Sequence, residues 1–331
     1  MKPRERILAT LNGQIPDRVP WLEAVIDPAV AEKLLGRPSE FRGRLNIDPG
    51  LLEILALDNI AVNLKPPDVT EKYEAAGVEY VAAGLIHGWD DIDFLRSQLP
   101  DVDDPEFWRP FEEYLDKYKG DYAALACLRA GVANAYLSMG IENFCLAIYD
   151  DLKLVETIMD IFNEWTLKVV ERVNKMGFDL AIISDDLCDQ RGPIFSPQVI
   201  RELFAPRYKK VNEALNIPWI LHTDGNFMPI LDDLMEFGMV CIGNIEPAAV
   251  DIVELKQKYG DRLSLLGNID LHYTLTRGSV EEVKASVKQR IEQCAPNGRY
   301  IIASENSIPS YVLPENLKAM SEAIEEYGYY K

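Results

Sequence analysis

The stretch "PWILHTDGNFMPIL", residues 218–231, places a histidine and an aspartate two residues apart, at the end of an apolar run and in front of a glycine. If the run is a strand, His222 and Asp224 project from one face, because side chains alternate along a strand with a period of two. An imidazole beside a carboxylate supplies a proton-transfer pair or two ligands for a divalent ion such as zinc. Polar residues close other apolar runs in the same way: Glu23 after "VPWL", Asn63 and Lys65 in "NIAVNLKP", Arg129 in "ALACLRAG", and Asp185 and Asp186 after "DLAIIS". Glu246 follows "VCIGNI", Asn268 and Asp270 lie in "LSLLGNID", and Ser304 and Glu305 follow "YIIA". An ionised carboxylate buried without a partner is costly, so Glu246 and Glu305 are expected to face a polar cavity or a cation.

Other chemistries lack their sequence support. There is no GxSxG elbow, no GxxxxGK[ST] loop, no GxGxxG after a strand and no HExxH, which removes the usual grounds for serine-elbow acyl transfer, phosphate-loop chemistry and zincin hydrolysis. The five cysteines are scattered without a CxxC and form no disulfide framework; they are expected to be small buried hydrophobes, with Cys188 nearest a polar cluster.

The elements that must position these residues follow a regular grammar. In the C-terminal half, short β-rich runs at 179–186, 218–222, 240–247, 263–270 and 300–307 alternate with helical patterns such as "SPQVIRELFAPRYKKVNEAL", "DIVELKQKYG" and "SVEEVKASVKQRIEQCA". Continuous apolar strands separated by helices predict a parallel sheet covered on both faces. The N-terminal half adds strands at 19–25, 59–66 and 124–131, a hairpin or loop insertion in "YEAAGVEYVAAGLIHGWDDID", and a helix from about Leu152 to Met176. Eight strands with intervening helices predict a (β/α)₈ barrel of the TIM type, with an N-terminal helical extension and loop insertions, as one domain over residues 1–331. In that fold the polar strand ends converge on one mouth, at the C-terminal side of the barrel.

Bulk properties narrow the partners. The formal charge of −20 argues against nucleic acid, which requires clustered Lys and Arg. No apolar run is long enough for a membrane span, and the opening residues form no continuous apolar signal region, which predicts a cytoplasmic protein.

The opening "RERILATLNGQIPDRVP", the middle "FSPQVIRELFAPRYKKV", and the series "ILHTDGN", "GNIEPAAVDIVELKQKYGDRLSLLGNID" and "PENLKAMSEAIEEYG" resemble the uroporphyrinogen decarboxylase superfamily. That resemblance implies a (β/α)₈ barrel and two kinds of activity: decarboxylation of a porphyrinogen, or methyl transfer with a corrinoid protein as partner. The decarboxylase carries an arginine-bearing segment after its first strand. Here that place reads "WLEAVID", with Glu23 and Asp27, so the mouth is expected to repel a substrate with eight carboxylates. The decarboxylase's aspartate falls near Asn63, its late histidine near Glu305, and its tyrosine near Tyr136.

Thiol-methylating relatives hold zinc through HxC and a later cysteine. Here His222 matches, Asp224 stands for the first cysteine, and the later position falls around Glu305. The resemblance therefore implies a methyltransferase that moves a methyl group from a small donor, above all a methoxylated aromatic as in the O-demethylases of anaerobes, to the cobalamin of a separate corrinoid protein. In this scheme His222 and Glu305 contact the donor oxygen or, together with Asp224, a divalent metal such as zinc. Asp186 and Asp224 orient them, and Glu246 completes the polar ring. Trp21, Glu23, Tyr136, Asp185, Phe227, Asn268 and Tyr311 are the expected substrate-binding residues, and a homodimer is compatible with the family. A decarboxylase-like lyase and a non-catalytic tetrapyrrole- or corrinoid-binding barrel are the alternatives.

Overall fold

The computed structural model describes residues 1–75 and 78–331. Seven of the eight expected strands form one parallel sheet. We number them β1 (Asn59–Asn63), β2 (Ala123–Leu128), β3 (Leu180–Ser184), β4 (Trp219–His222), β5 (Cys241–Ile245), β6 (Ser264–Gly267) and β7 (Tyr300–Ile301). They lie side by side in chain order, as repeated βα units require when each helix returns the chain to the next parallel strand. All six residues of β2 are buried, so both faces of this strand are covered, which explains its uninterrupted apolar run; helices connect the strands. Among those helices is Leu152–Val173, close to the expected 152–176.

The remaining segment, expected as a strand at 19–25, is not a strand. It carries two isolated bridges, Trp21 with Ile302 and Ile26 with Ile308. On the β7 side it makes backbone bonds, Leu22 N donating to Ile302 O and Ile302 N to Pro20 O. On the β1 side one backbone bond remains, Asp58 N donating to Trp21 O (2.9 Å), and side chains take the place of the rest of the ladder. The Asp58 carboxylate accepts Trp21 N (2.8 Å), and the Asn59 amide accepts Glu23 N while donating to Glu23 O (3.1 and 2.8 Å). Short polar side chains compete with the backbone for its donors in this way, so the segment lies between the two edges without a regular register.

The helical extension is Pro3–Leu11, and the insertion is an antiparallel pair of Thr70–Ala75 with Val78–Gly84; residues 76–77 lie outside the described residues. The expected helix 196–215 is broken by a π turn at Ile200–Phe204. Pro206 explains it, because proline cannot donate within a helix and crowds the preceding turn. Arg207 Nη1 then donates to Leu203 O (2.6 Å). Among the described residues, no helix is long and apolar enough to cross a membrane.

Candidate active site

The register brings the ends of β3 and β4 level with the middle of β5: Ser184 aligns with His222, and His222 with Gly243. Two residues beyond these positions, Asp186 and Asp224 flank the imidazole. His222 Nε2 stands 3.6 Å from Asp186 Oδ1 and 3.4 Å from Asp224 Oδ1. The turn after Asp224 needs its glycine. Gly225 has φ +74°, and a Cβ there would lie 2.2 Å from Asp189 O; Asn226 N bonds that same carbonyl at 2.8 Å. Asp224 is held on its other side by Asn306 Nδ2, 3.0 Å from its Oδ1. Tyr136 donates its hydroxyl to Asp186 O (2.9 Å) and so fixes the backbone that carries this carboxylate.

Asp186, His222, Asp224 and Asn306 line a cleft of about 150 Å³ together with Ala24, Lys65, Cys127, Arg129, Asn244 and Ser307. The mouth is therefore not uniformly acidic, as the strand-end residues suggested: two cations stand in the same cleft as two aspartates. Arg129 is committed to Asp68 (2.5 Å) and to Ser184 O (3.1 Å). Burial pushes the Asp224 carboxyl up to about 6, opposed by His222 and reinforced by Asp186. Burial likewise pushes the Cys127 thiol up to about 11, so sulfur in this cleft is a thiol and not a thiolate.

Asp186, His222 and Asp224 each offer one ligand atom, and these atoms lie within 4.8 Å of one another, a spacing at which a divalent ion can be held. The hydrogen bonding of His222 opposes that role. Asn244 N donates to His222 Nδ1 at 3.0 Å, so Nδ1 is the acceptor and the neutral ring carries its proton on Nε2, the atom that faces the aspartates. A metal at Nε2 needs that lone pair and would move the proton to Nδ1, against the Asn244 N–H. Metal-bound histidines generally donate from their second nitrogen, and this one accepts. The residues present do not fit a zinc ion at His222.

Glu305, expected beside His222 and Asp224, stands outside this trio; Asp186 takes its place. It lines a neighbouring cavity of about 400 Å³ with Glu246, His272, Asn306, Ser307 and Tyr311. Its Oε1 accepts Leu271 N (2.7 Å), its Oε2 is buried with no hydrogen-bond partner among the described residues, and burial raises its pKa. Trp21, Glu23, Asp185 and Phe227 are 0 % exposed and lie beneath the site. Asp185 accepts Ala130 N, Ala133 N and the Tyr208 hydroxyl, and so anchors the start of helix Val132–Met139 where a substrate contact was expected. Asn268 is buried facing a separate groove beside Asp251, and Tyr311 is 65 % exposed at the rim. Sequence reasoning passed over Asn244, Asn306 and Cys127. Asn244 matters through its backbone and Cys127 lies before its strand end, so neither gave a signal; Asn306 directly follows the Glu305 that was chosen.

The profile of the family "Uroporphyrinogen decarboxylase (URO-D)" matches residues 113–327. The chain belongs to the uroporphyrinogen decarboxylase family. Relatives that it matches over nearly their full length are named methyltransferases. The methylcobamide:CoM methyltransferase MtaA of Methanosarcina barkeri is 24 % identical over 350 residues, covering 98 % of each chain. A methylated-thiol–coenzyme M methyltransferase of Methanosarcina mazei is 22 % identical over 65 % of this chain and 56 % of its own. A solved methyltransferase from Methanosarcina mazei shares the fold, with a TM-score of 0.73, 20 % identity and 99 % of each chain covered. The uroporphyrinogen decarboxylase family thus contributes a methyltransferase here, in agreement with the resemblance read from the motifs.

Proposed function

We propose that this chain is a corrinoid-protein-dependent methyltransferase that takes its methyl group from a methoxylated aromatic, acting in the cytoplasm on a closed eightfold barrel. The observation that carries the reading is the His222 arrangement: an imidazole whose Nδ1 is occupied by Asn244 N and whose Nε2–H points into a sulfur-poor cleft. Neither aspartate is close enough for a good hydrogen bond to Nε2, so this donor is available to a ligand oxygen. A methyl ether is a weak leaving group whose oxygen gains negative charge as the methyl carbon departs, and a fixed N–H directed at that oxygen lowers the barrier. Asp186 and Asp224 flank the Nε2–H on either side and keep the ring in place. The methyl acceptor is the cobalt of a corrinoid carried by a separate protein, which docks over the mouth.

The relatives named above act on coenzyme M, and transfer to or from a thiol is the competing reading. It requires a thiolate-stabilising centre, and the group of oxygens and imidazole here supplies none. The test mixes the chelator-dialysed chain with a reduced corrinoid protein and separate panels of aryl methyl ethers, methylamines and methyl thioethers, and follows cobalt methylation by absorbance. Methylation from aryl ethers alone is expected. Methylation from thioethers alone, or only after zinc is restored, overturns the proposal.

A further inference from the structure

Lys65 lies at the end of β1, where the chain leaves the sheet through Pro66 and Pro67. Its side chain is partly buried and lines the same cleft as His222 and Asp186. Among the described residues its ammonium makes no hydrogen bond and no ion pair, while the other cation of the cleft, Arg129, is held by Asp68. A partly buried ammonium without a fixed partner keeps hydrogen-bonding capacity that a ligand oxygen in the cleft can complete. The ammonium is not among the sealed polar atoms, so it opens to the cleft. The charged and titratable groups around it include Arg129, Cys127, Asp186, Asp185 and Asp224. Burial first, and Arg129 second, lower its pKa, while Cys127, Asp186 and Asp185 oppose them. An ammonium so placed is a stronger acid than a solvated lysine.

We propose that Lys65 is a catalytic residue that receives the leaving oxygen of the methyl donor, making this cleft a site for a phenolate. The inference rests on the aryl-ether reading. As the carbon–oxygen bond breaks, its electron pair stays on oxygen. The methyl carbon forms its new bond with an electron pair from the cobalt(I) acceptor. The resulting phenolate pairs with the Lys65 ammonium and takes one proton from it, leaving phenol and a neutral amine that solvent reprotonates. His222 polarises the ether oxygen at the start; Lys65 neutralises the charge at the end.

The product side can be tested without the corrinoid protein. 4-Nitrophenol changes colour on ionisation, so its absorbance reports which form the protein binds. The wild-type chain is expected to bind the phenolate at least about tenfold more tightly than the phenol, which lowers the probe's apparent pKa by about one unit. Lys65→Met is expected to abolish that preference and Lys65→Arg to retain it. A structural lysine would behave differently in a second measurement. Removing an unpaired, partly buried charge should leave the melting temperature of Lys65→Met unchanged or raised, and Lys65→Gln serves as a second neutral variant. A phenolate preference that survives in both neutral variants, or a large loss of melting temperature in both, overturns the proposal. If instead the wild type shows the preference but no aryl ether methylates the corrinoid, the anion site stands and the choice of methyl donor falls.

Discussion

Glu23 illustrates how one side chain's protonation follows from its contacts. Its Oε1 accepts Trp21 Nε1 and Ser304 N, both at 2.8 Å, and its Oε2 lies 2.7 Å from Ser304 Oγ. The Ser304 hydroxyl has one proton and also reaches Asn306 O, so the network closes when Glu23 carries the proton on Oε2 and donates it to Ser304. Burial pushes this carboxyl up to about 7 from an ordinary 4.5, against the pull of its three hydrogen bonds. A folded-state value above the unfolded one means that the folded state holds the proton more tightly. Stability therefore falls as pH rises from 4.5 through about 7. Glu23→Gln places an amide donor against Ser304 Oγ and removes the dependence. Its unfolding free energy should match wild type near pH 4.5 and exceed it by about 3 kcal/mol at pH 8. A difference that stays flat between those pH values in denaturant titrations would show that Glu23 is ionised in the fold.

At the scale of elements, the N-terminal helix Pro3–Leu11 is tied to the base of the sheet through charge. Arg6 Nη1 donates to Asp58 Oδ1 (2.6 Å) and Arg6 Nε to Asp17 Oδ1 (2.7 Å). Asp58 is fully buried and also meets Arg18 at 3.2 Å and accepts Trp21 N, so one carboxylate joins the helix, the irregular segment at 19–26 and the start of β1. Removing one partner of a buried ion pair leaves the other charge short of compensation. Because Arg18 remains, Arg6→Ala should lose about 2–4 kcal/mol of unfolding free energy, and Arg6→Lys, which cannot bridge both aspartates with a planar fork, should recover only part. A loss below about 0.5 kcal/mol, the range of an ordinary exposed pair, would mean that the helix is held by its apolar face alone.

At the scale of the whole molecule, whether the sheet closes on itself rests on a few backbone bonds. Asp58 N donates to Trp21 O, Leu22 N to Ile302 O and Ile302 N to Pro20 O. If the segment bridges β1 and β7 in solution, no edge is left open there, and these amides exchange with solvent only when the whole domain unfolds. Native-state hydrogen exchange should then protect Leu22, Asp58 and Ile302 within about tenfold of Ala181 in β3. Exchange of Leu22 and Asp58 a thousandfold faster, with Ala181 unchanged, would describe an open sheet of seven strands with a loosely attached segment.

The local sequence determined the parallel sheet, its strand order and the pairing of His222 with Asp224. These follow from short-range pattern: apolar runs, helical spacing, and a left-handed turn at 225 that only glycine fits. The strand at 19–25 had the same apolar pattern, but the side chains of Asp58 and Asn59, more than thirty residues away, took its donors. Tertiary structure alone decided which strand-end carboxylate stands beside His222. Asp186 does so because β3 and β4 align Ser184 with His222, whereas Glu305 turns into the neighbouring cavity. It likewise decided the tautomer of His222, through a backbone N–H from β5, and left the Lys65 ammonium unpaired in the cleft. Charge, tautomer and vacancy at a hydrogen-bonding atom depend on distances between strands, and the order of residues along one strand does not contain them.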